Sequence, residues 1–208
     1  MSSVQRVADP STSAELARFE AQKMAFAPLM FQAMRVARDS GVFDALYRAG
    51  KKGVVASDVA PTTNGLSPYA IDLLLEASFV AGFTEYDDAR YYIKKAGVFW
   101  LKEPAVRINT DFSHHICYRA FGHFEASLRE GLPIGLRELG AWSTLYEGLS
   151  SLPPVVRDSW FSFDNYYSDE VFALCLDRVF DRPVGRIMDI GANVGKFARA
   201  CVARDANV

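Results

Sequence analysis

The chain has 208 residues, half of them apolar and 13% aromatic, enough to bury a sizeable core in one or two domains. A formal net charge of −2 gives no general electrostatic case for nucleic acid or an anionic membrane, and no run of about 18 apolar residues suggests a membrane span. The three cysteines, Cys117, Cys175 and Cys201, are too few and too scattered for a disulfide framework; with no signal-type N-terminus, they fit a soluble cytoplasmic protein.

Residues 1–12 are polar, carry Pro10 and read as a flexible tail. From Ser13 to Asp39 the spacing is helical. Leu16, Phe19, Lys23 and Phe26 share one face, and Leu29, Met30, Ala33, Met34 and Ala37 continue an apolar stripe. Pro28 is expected to kink this run or split it, and Gly41 to stop it. Val42 to Gly50 reads as a short amphipathic helix, and Ser57 to Ala60 as the start of another. In "LSPYAIDLLLEASFVAG", Ser67 is the expected N-cap and Pro68 the first helical residue. Ile71, Leu74, Leu75, Ser78 and Phe79 form its expected buried face, and Gly82 its stop. "FTEYDDARYYIKKAG" reads as a hairpin that turns at Asp87-Asp88, with Tyr92 and Lys94 alternating in its second strand. Short helices followed by a hairpin predict a winged-helix domain over residues 13–105.

Residues 111–180 read as largely helical. A helix from Arg119 to Glu130 stops at Gly131-Leu132-Pro133, Pro153-Pro154 marks a break, and another helix runs from Asp169 to Phe180. Residues 106–183 are therefore expected to form a helical linker or pocket region, and residues 184–208 the start of a different domain. There "RIMDI" is apolar on both faces, as a central parallel strand requires. "DIGANVG" follows as a glycine-bearing turn, and Lys196 to Ala203 as a helix whose free N–H groups point toward that turn. Asp189 lies at the carboxyl end of the strand, where ligands of open α/β sheets bind, and its carboxylate suits an ammonium or hydroxyls better than a phosphate. The dinucleotide pattern G-x-G-x-x-G is absent. A lone glycine turn is a weak signal, and a tight strand-to-helix turn without a ligand stays the alternative reading.

"MDIGANVGKFA" resembles the first motif of S-adenosylmethionine-dependent methyltransferases, D/E-x-G-x-G-x-G, with Asn193 in place of the middle glycine. Asparagine tolerates left-handed backbone angles, so the turn can survive the exchange. "FDNYYSDE" resembles the F-N-x-x-M-S-D segment of the two-domain O-methyltransferases of plant and bacterial secondary metabolism. Phe163 takes the phenylalanine position, Asp164 the asparagine, Tyr167 the methionine and Ser168-Asp169 the Ser-Asp pair. The stretch from Met34 to Gly97 resembles that family's N-terminal dimerisation domain, so the likeness runs from about Ala25 to Asn207.

The resemblance implies a mainly α fold with a winged-helix hairpin, followed by the first β-α unit of a Rossmann-like methyltransferase domain. It implies S-adenosyl-L-methionine as cofactor, contacted by Asp189, Gly191, Asn193, Gly195, Phe163, Tyr167 and Ser168. It also implies a homodimer built through the N-terminal helices and a small acceptor of aromatic type, methylated on oxygen. Trp142, Tyr146 and His115, within the aromatic-dense middle of the chain, are the candidates for lining the acceptor pocket. The family's ribose-gripping acid and catalytic base are expected beyond residue 208. The chain therefore reads as an N-terminal portion of a longer enzyme, inactive alone, with no catalytic residue of its own to name. A non-catalytic dimerisation module is the second reading. A winged-helix regulator is the third, but Pro68 to Ala81 holds no Lys or Arg and carries Asp72 and Glu76, which would repel DNA. His114, His115 and His123 have no partner in metal-ligand register, so no metal site is expected.

Overall fold

The computed structural model describes residues 13–59, 63 and 65–208. The expected tail at 1–12 and the last residue of the expected Ser57–Ala60 helix lie outside the described residues. Among the described residues the chain is mainly α-helical, with one two-stranded antiparallel sheet. It divides into two compact units between Glu103 and Pro104. Glu103 leaves helical geometry (φ −75°, ψ 118°), as the ring of a following proline favours.

In the first unit, α1 (Ala14–Asp39) starts at Ser13, whose hydroxyl accepts from the Leu16 N–H at 3.1 Å. The helix is not split at Pro28. Proline removes one hydrogen-bond donor, and the bonded turns on either side carry the run through. Met34 and Ala37, in its second half, enter the core. There they join Phe43 and Leu46 of α2 (Val42–Ala49), Val59 of α3 (Ala56–Val59) and Ile71, Leu74 and Leu75 of α4 (Pro68–Val80). Ser67 caps α4 by accepting from the Ala70 N–H at 3.2 Å. Phe79, expected in the core, is 49% exposed. The helix also exposes Leu73 and Val80, so it is apolar on more than one face, and periodicity alone does not choose which face is covered.

Strands β1 (Thr84–Asp87) and β2 (Arg90–Ile93) pair from Thr84↔Ile93 to Asp87↔Arg90. The turn is therefore Asp88-Ala89, one residue later than expected. Both residues are left-handed, with φ of 44° and 58°, the two-residue turn whose twist matches that of the strands. Val54 and Tyr91 exchange backbone hydrogen bonds of 2.9 Å, which ties the hairpin to the residues before α3. Arg90 reinforces this tie, donating to the Lys52 carbonyl at 2.8 Å and to Asp58 at 2.5 Å. The second strand stops at Ile93, and Lys94 instead caps α5 (Lys95–Lys102). The indole of Trp100 on α5 donates to the Met34 carbonyl at 3.1 Å.

The first half of α1, from Ala14 to Phe26, is exposed at every residue. Beside it lies an apolar groove of about 730 Å³ between α1 and α4, with Phe26, Met30, Leu73, Val80 and Trp100 among its walls.

The second unit opens with α6 (Pro104–Phe112), a π-helical turn (Ser113–Cys117), α7 (Tyr118–Ala120) and a 3-10 turn (Phe121–His123). Next come α8 (Phe124–Glu130) and α9 (Leu145–Gly148). The expected continuous helix from Arg119 is thus interrupted at Gly122, a residue of low helix propensity. Three further helices complete the unit: α10 (Pro154–Asp169), α11 (Phe172–Val179) and α12 (Lys196–Arg204). Asp169, expected to open a helix, is the last residue of α10.

The expected strand at 186–190 carries no ladder hydrogen bonds. Among the described residues no strand lies beside it. Met188 and Ile190, expected to be covered, are 83% and 88% exposed. Apolar composition suits a buried strand, but a strand is made by its partners.

Candidate functional site

The segment from Asp189 to Gly195 departs from regular structure in an ordered way. Gly191, Asn193 and Gly195 have φ of 78°, 50° and 70°. Every second residue is therefore left-handed, and the spacing G-x-N-x-G supplies at each such position a residue that tolerates it. The turn is closed by the Gly195 N–H, which donates to the Ala192 carbonyl at 2.7 Å. Gly195 then caps α12.

A cleft of about 320 Å³ lies between this turn and α10. Asp164, Asn165 and Ser168 line it from α10, and Asp189, Gly191 and Asn193 from the turn. Phe172 of α11 and Phe197 of α12 close one wall, their rings 5.2 Å apart. Oδ2 of Asp189 is buried and has no hydrogen-bond partner. An unpaired buried acceptor costs about 1–3 kcal/mol, so its presence points to a ligand or water that supplies a donor. Burial raises the pKa of the neighbouring Cys201 thiol, and the Asp189 charge raises it further.

Two polar pairs tie the turn to α10. The Asn193 amide donates to Asp164, and Lys196 Nζ lies 2.5 Å from Asp169. Lys196 opens α12, where a cation meets the positive end of the helix dipole; the Asp169 carboxylate offsets that cost. Neither pair is legible in the sequence, because the partners are 29 and 27 residues apart and only the path of the chain brings them together.

Of the residues expected at the cofactor, Asp189, Gly191, Asn193 and Ser168 line the cleft, and Gly195 borders it at the start of α12. Phe163 and Tyr167 do not line it. On α10, positions 164 and 168 share one face, and 163 and 167 the next face round. Phe163 stacks on Phe112 of α6 with centroids 4.0 Å apart, and the Tyr167 hydroxyl donates to Asn109 Oδ1 at 2.9 Å.

The three expected pocket residues do not line this cleft either. Tyr146 is 74% exposed and meets Trp160 edge-on at 6.1 Å. Trp142 packs against Gly140 and Gly148, where a β-carbon would overlap its ring. His115 Nδ1 lies 2.7 Å from the Ser159 hydroxyl, which itself donates to the Val155 carbonyl at 2.9 Å. Phe112, which no motif in the sequence marks as a site neighbour, joins Trp160 and Phe163 into one aromatic row. His123 is engaged elsewhere, bonded to Glu138 at 2.8 Å, and that bond holds the Glu138 carboxyl below its usual range.

Residues 18–91 match the model of the Dimerisation2-like domain. Among solved structures, the chain is similar to the S-adenosylmethionine-dependent methyltransferase SibL in its apo form. That match has 20% identity and a TM-score of 0.65, and covers 91% of this chain and 55% of SibL. It is also similar to human N-acetylserotonin methyltransferase in complex with SAM. Here identity is 18% and the TM-score 0.53, with 96% of this chain and 59% of the human chain covered. The chain thus spans a little over half the length of each, and at these identities the likeness is one of fold. No curated protein sequence matches the chain significantly.

Proposed function

We propose that the chain carries the dimerisation domain and the cofactor-binding turn of an S-adenosylmethionine-dependent methyltransferase that acts on an oxygen of a small aromatic acceptor. The observation that carries this reading is the unpaired, buried Asp189 Oδ2 beside a turn with three left-handed residues. S-adenosylmethionine offers ammonium and ribose hydroxyl donors to such an acceptor, and when bound it supplies a methyl group on a positively charged sulfur. Gly191, Asn193 and Gly195 let the backbone come close to the ligand, and Ser168 adds a hydroxyl from α10. Asp169 holds the Lys196 ammonium, so the cleft keeps a balance that favours a cationic ligand. The aromatic row from Tyr146 through Trp160 and Phe112 to Phe163 offers flat apolar surface to an acceptor, and His115 and Trp142 are the other candidates for its pocket. The first unit is read as a winged-helix domain that pairs two copies through the exposed half of α1 and the groove beside α4. The match over residues 18–91 and the apolar walls of that groove support this part.

Equilibrium dialysis of the chain against labelled S-adenosylmethionine tests the cofactor reading. Saturable binding is expected, weakened about 10- to 100-fold in Asp189→Ala by loss of charge-assisted hydrogen bonds. Absence of binding, or equal binding by that variant, would remove the reading.

A further inference from the structure

Asp164 and Asn193 each stand where the methyltransferase pattern has a different residue. Asp164 replaces an asparagine and Asn193 a glycine, and the structure brings the two departures together. Asn193 Nδ2 donates to Asp164 Oδ2 across the cleft that both residues line. A glycine at 193 would have no side chain to donate. A carboxylate at 164 makes the bond charge-assisted and so stronger than an amide would. The residue held in this way has a φ of 50°, an angle that asparagine adopts at some cost and glycine without one.

We propose that Asp164 and Asn193 form a positioning pair: the carboxylate holds the left-handed Asn193, and with it the whole turn, against α10 in the form that receives a ligand. The exchange of glycine for asparagine gives up backbone freedom, and the side-chain bond converts that loss into a fixed turn. The nearby Lys196–Asp169 pair joins the same two elements, so α12 stays docked when the first pair is broken. Loss of the Asp164–Asn193 bond therefore loosens the turn and leaves the unit folded. The part that concerns ligand binding rests on the S-adenosylmethionine reading; the locking of the turn does not.

The Gly195 amide reports on the turn, because it donates to the Ala192 carbonyl within it. Its hydrogen exchange is to be followed in the whole chain without ligand. Asn193→Asp sets two carboxylates face to face, and exchange at Gly195 is expected to quicken about 5-fold at neutral pH, the equivalent of one exposed hydrogen bond. The exchanged pair Asp164→Asn/Asn193→Asp, in which position 164 donates and 193 accepts, is expected to return to within about 2-fold of wild type. Asn193→Gly, which keeps the left-handed backbone, is expected to loosen the turn without repulsion. S-adenosylmethionine affinity should follow the same order. Unchanged exchange in Asn193→Asp, or no recovery in the exchanged pair, would overturn the proposal. So would unaltered affinity in a variant whose turn has loosened. A wild-type chain that binds no S-adenosylmethionine, yet shows the expected exchange pattern, would remove the ligand assignment and leave the lock supported.

Discussion

Valine at position 191 separates a ligand-binding turn from a merely tight one. A β-carbon built there meets no protein atom within 4 Å, so an added methyl group collides with nothing in the unit. The cost is in the backbone. At φ 78° an L-residue is disfavoured by roughly 1–2 kcal/mol, and a branched one by more. If the ligand requires the observed turn, that strain alone lowers affinity about 5- to 30-fold. Direct overlap between the valine methyls and a ligand lying against the turn would add to it. Calorimetric titration of wild type, Gly191→Ala and Gly191→Val with S-adenosylmethionine reads both effects: alanine reports the strain, and the further loss in valine adds the overlap to the extra strain of a branched side chain. Circular dichroism and a thermal melt verify that the variants fold. Wild-type affinity in a folded Gly191→Val chain would show that "DIGANVG" is only a turn, and the cofactor reading would lose its support.

The first unit is expected to hold the chain as a homodimer at micromolar concentration, and Leu73→Asp, which places a charge in the α1–α4 groove at an exposed position, to yield a folded monomer. Light scattering distinguishes the two, and a monomeric wild type refutes the expectation. The Cys201 thiol, raised above its ordinary value of 9.0 by burial and then by Asp189, should resist alkylation at neutral pH. Asp189→Asn removes the second cause and should shift the alkylation profile at Cys201 to lower pH, as mass spectrometry can follow. The folded state holds this proton more tightly than the unfolded one, so the thiol's contribution to stability is complete below pH 9.0 and is lost as pH rises toward the folded value.

Local signals carried a reader far along the first unit. Ser67 and Pro68 mark the start of α4 because capping is chemistry between neighbours, and the strands of the hairpin follow from their alternation. The turn was displaced by one residue because Asp87-Asp88 and Asp88-Ala89 have similar turn chemistry, and only pairing of Asp87 with Arg90 decides between them. Phe79 was misplaced for a related reason: a helix apolar all round does not say which side it will cover. At the cleft, the positions of Gly191, Asn193 and Gly195 were legible because left-handed angles restrict residue type. The division of "FDNYYSD" between two faces of α10 was hidden. A motif read along the chain suggests one site, whereas a helix turns about 100° per residue and sends alternate members to different neighbours. The unpaired Oδ2 of Asp189 had no sequence signature at all, since it depends on what does not reach it.

The segment at 186–190, which pairs with no strand among the described residues, also bears on self-association. Unpaired backbone groups along a strand-like stretch are a template for any other strand, and Met188 and Ile190 add apolar surface to it. Asp189 stands between those two side chains and Arg186 precedes them. Parallel, in-register stacking of copies would set each Asp189 against its equivalent and each Arg186 likewise, repeating like charges every 4.7–4.8 Å. An acidic residue within such a stretch opposes in-register stacking, and replacing Asp189 with an apolar residue would leave a five-residue segment free of acidic charge.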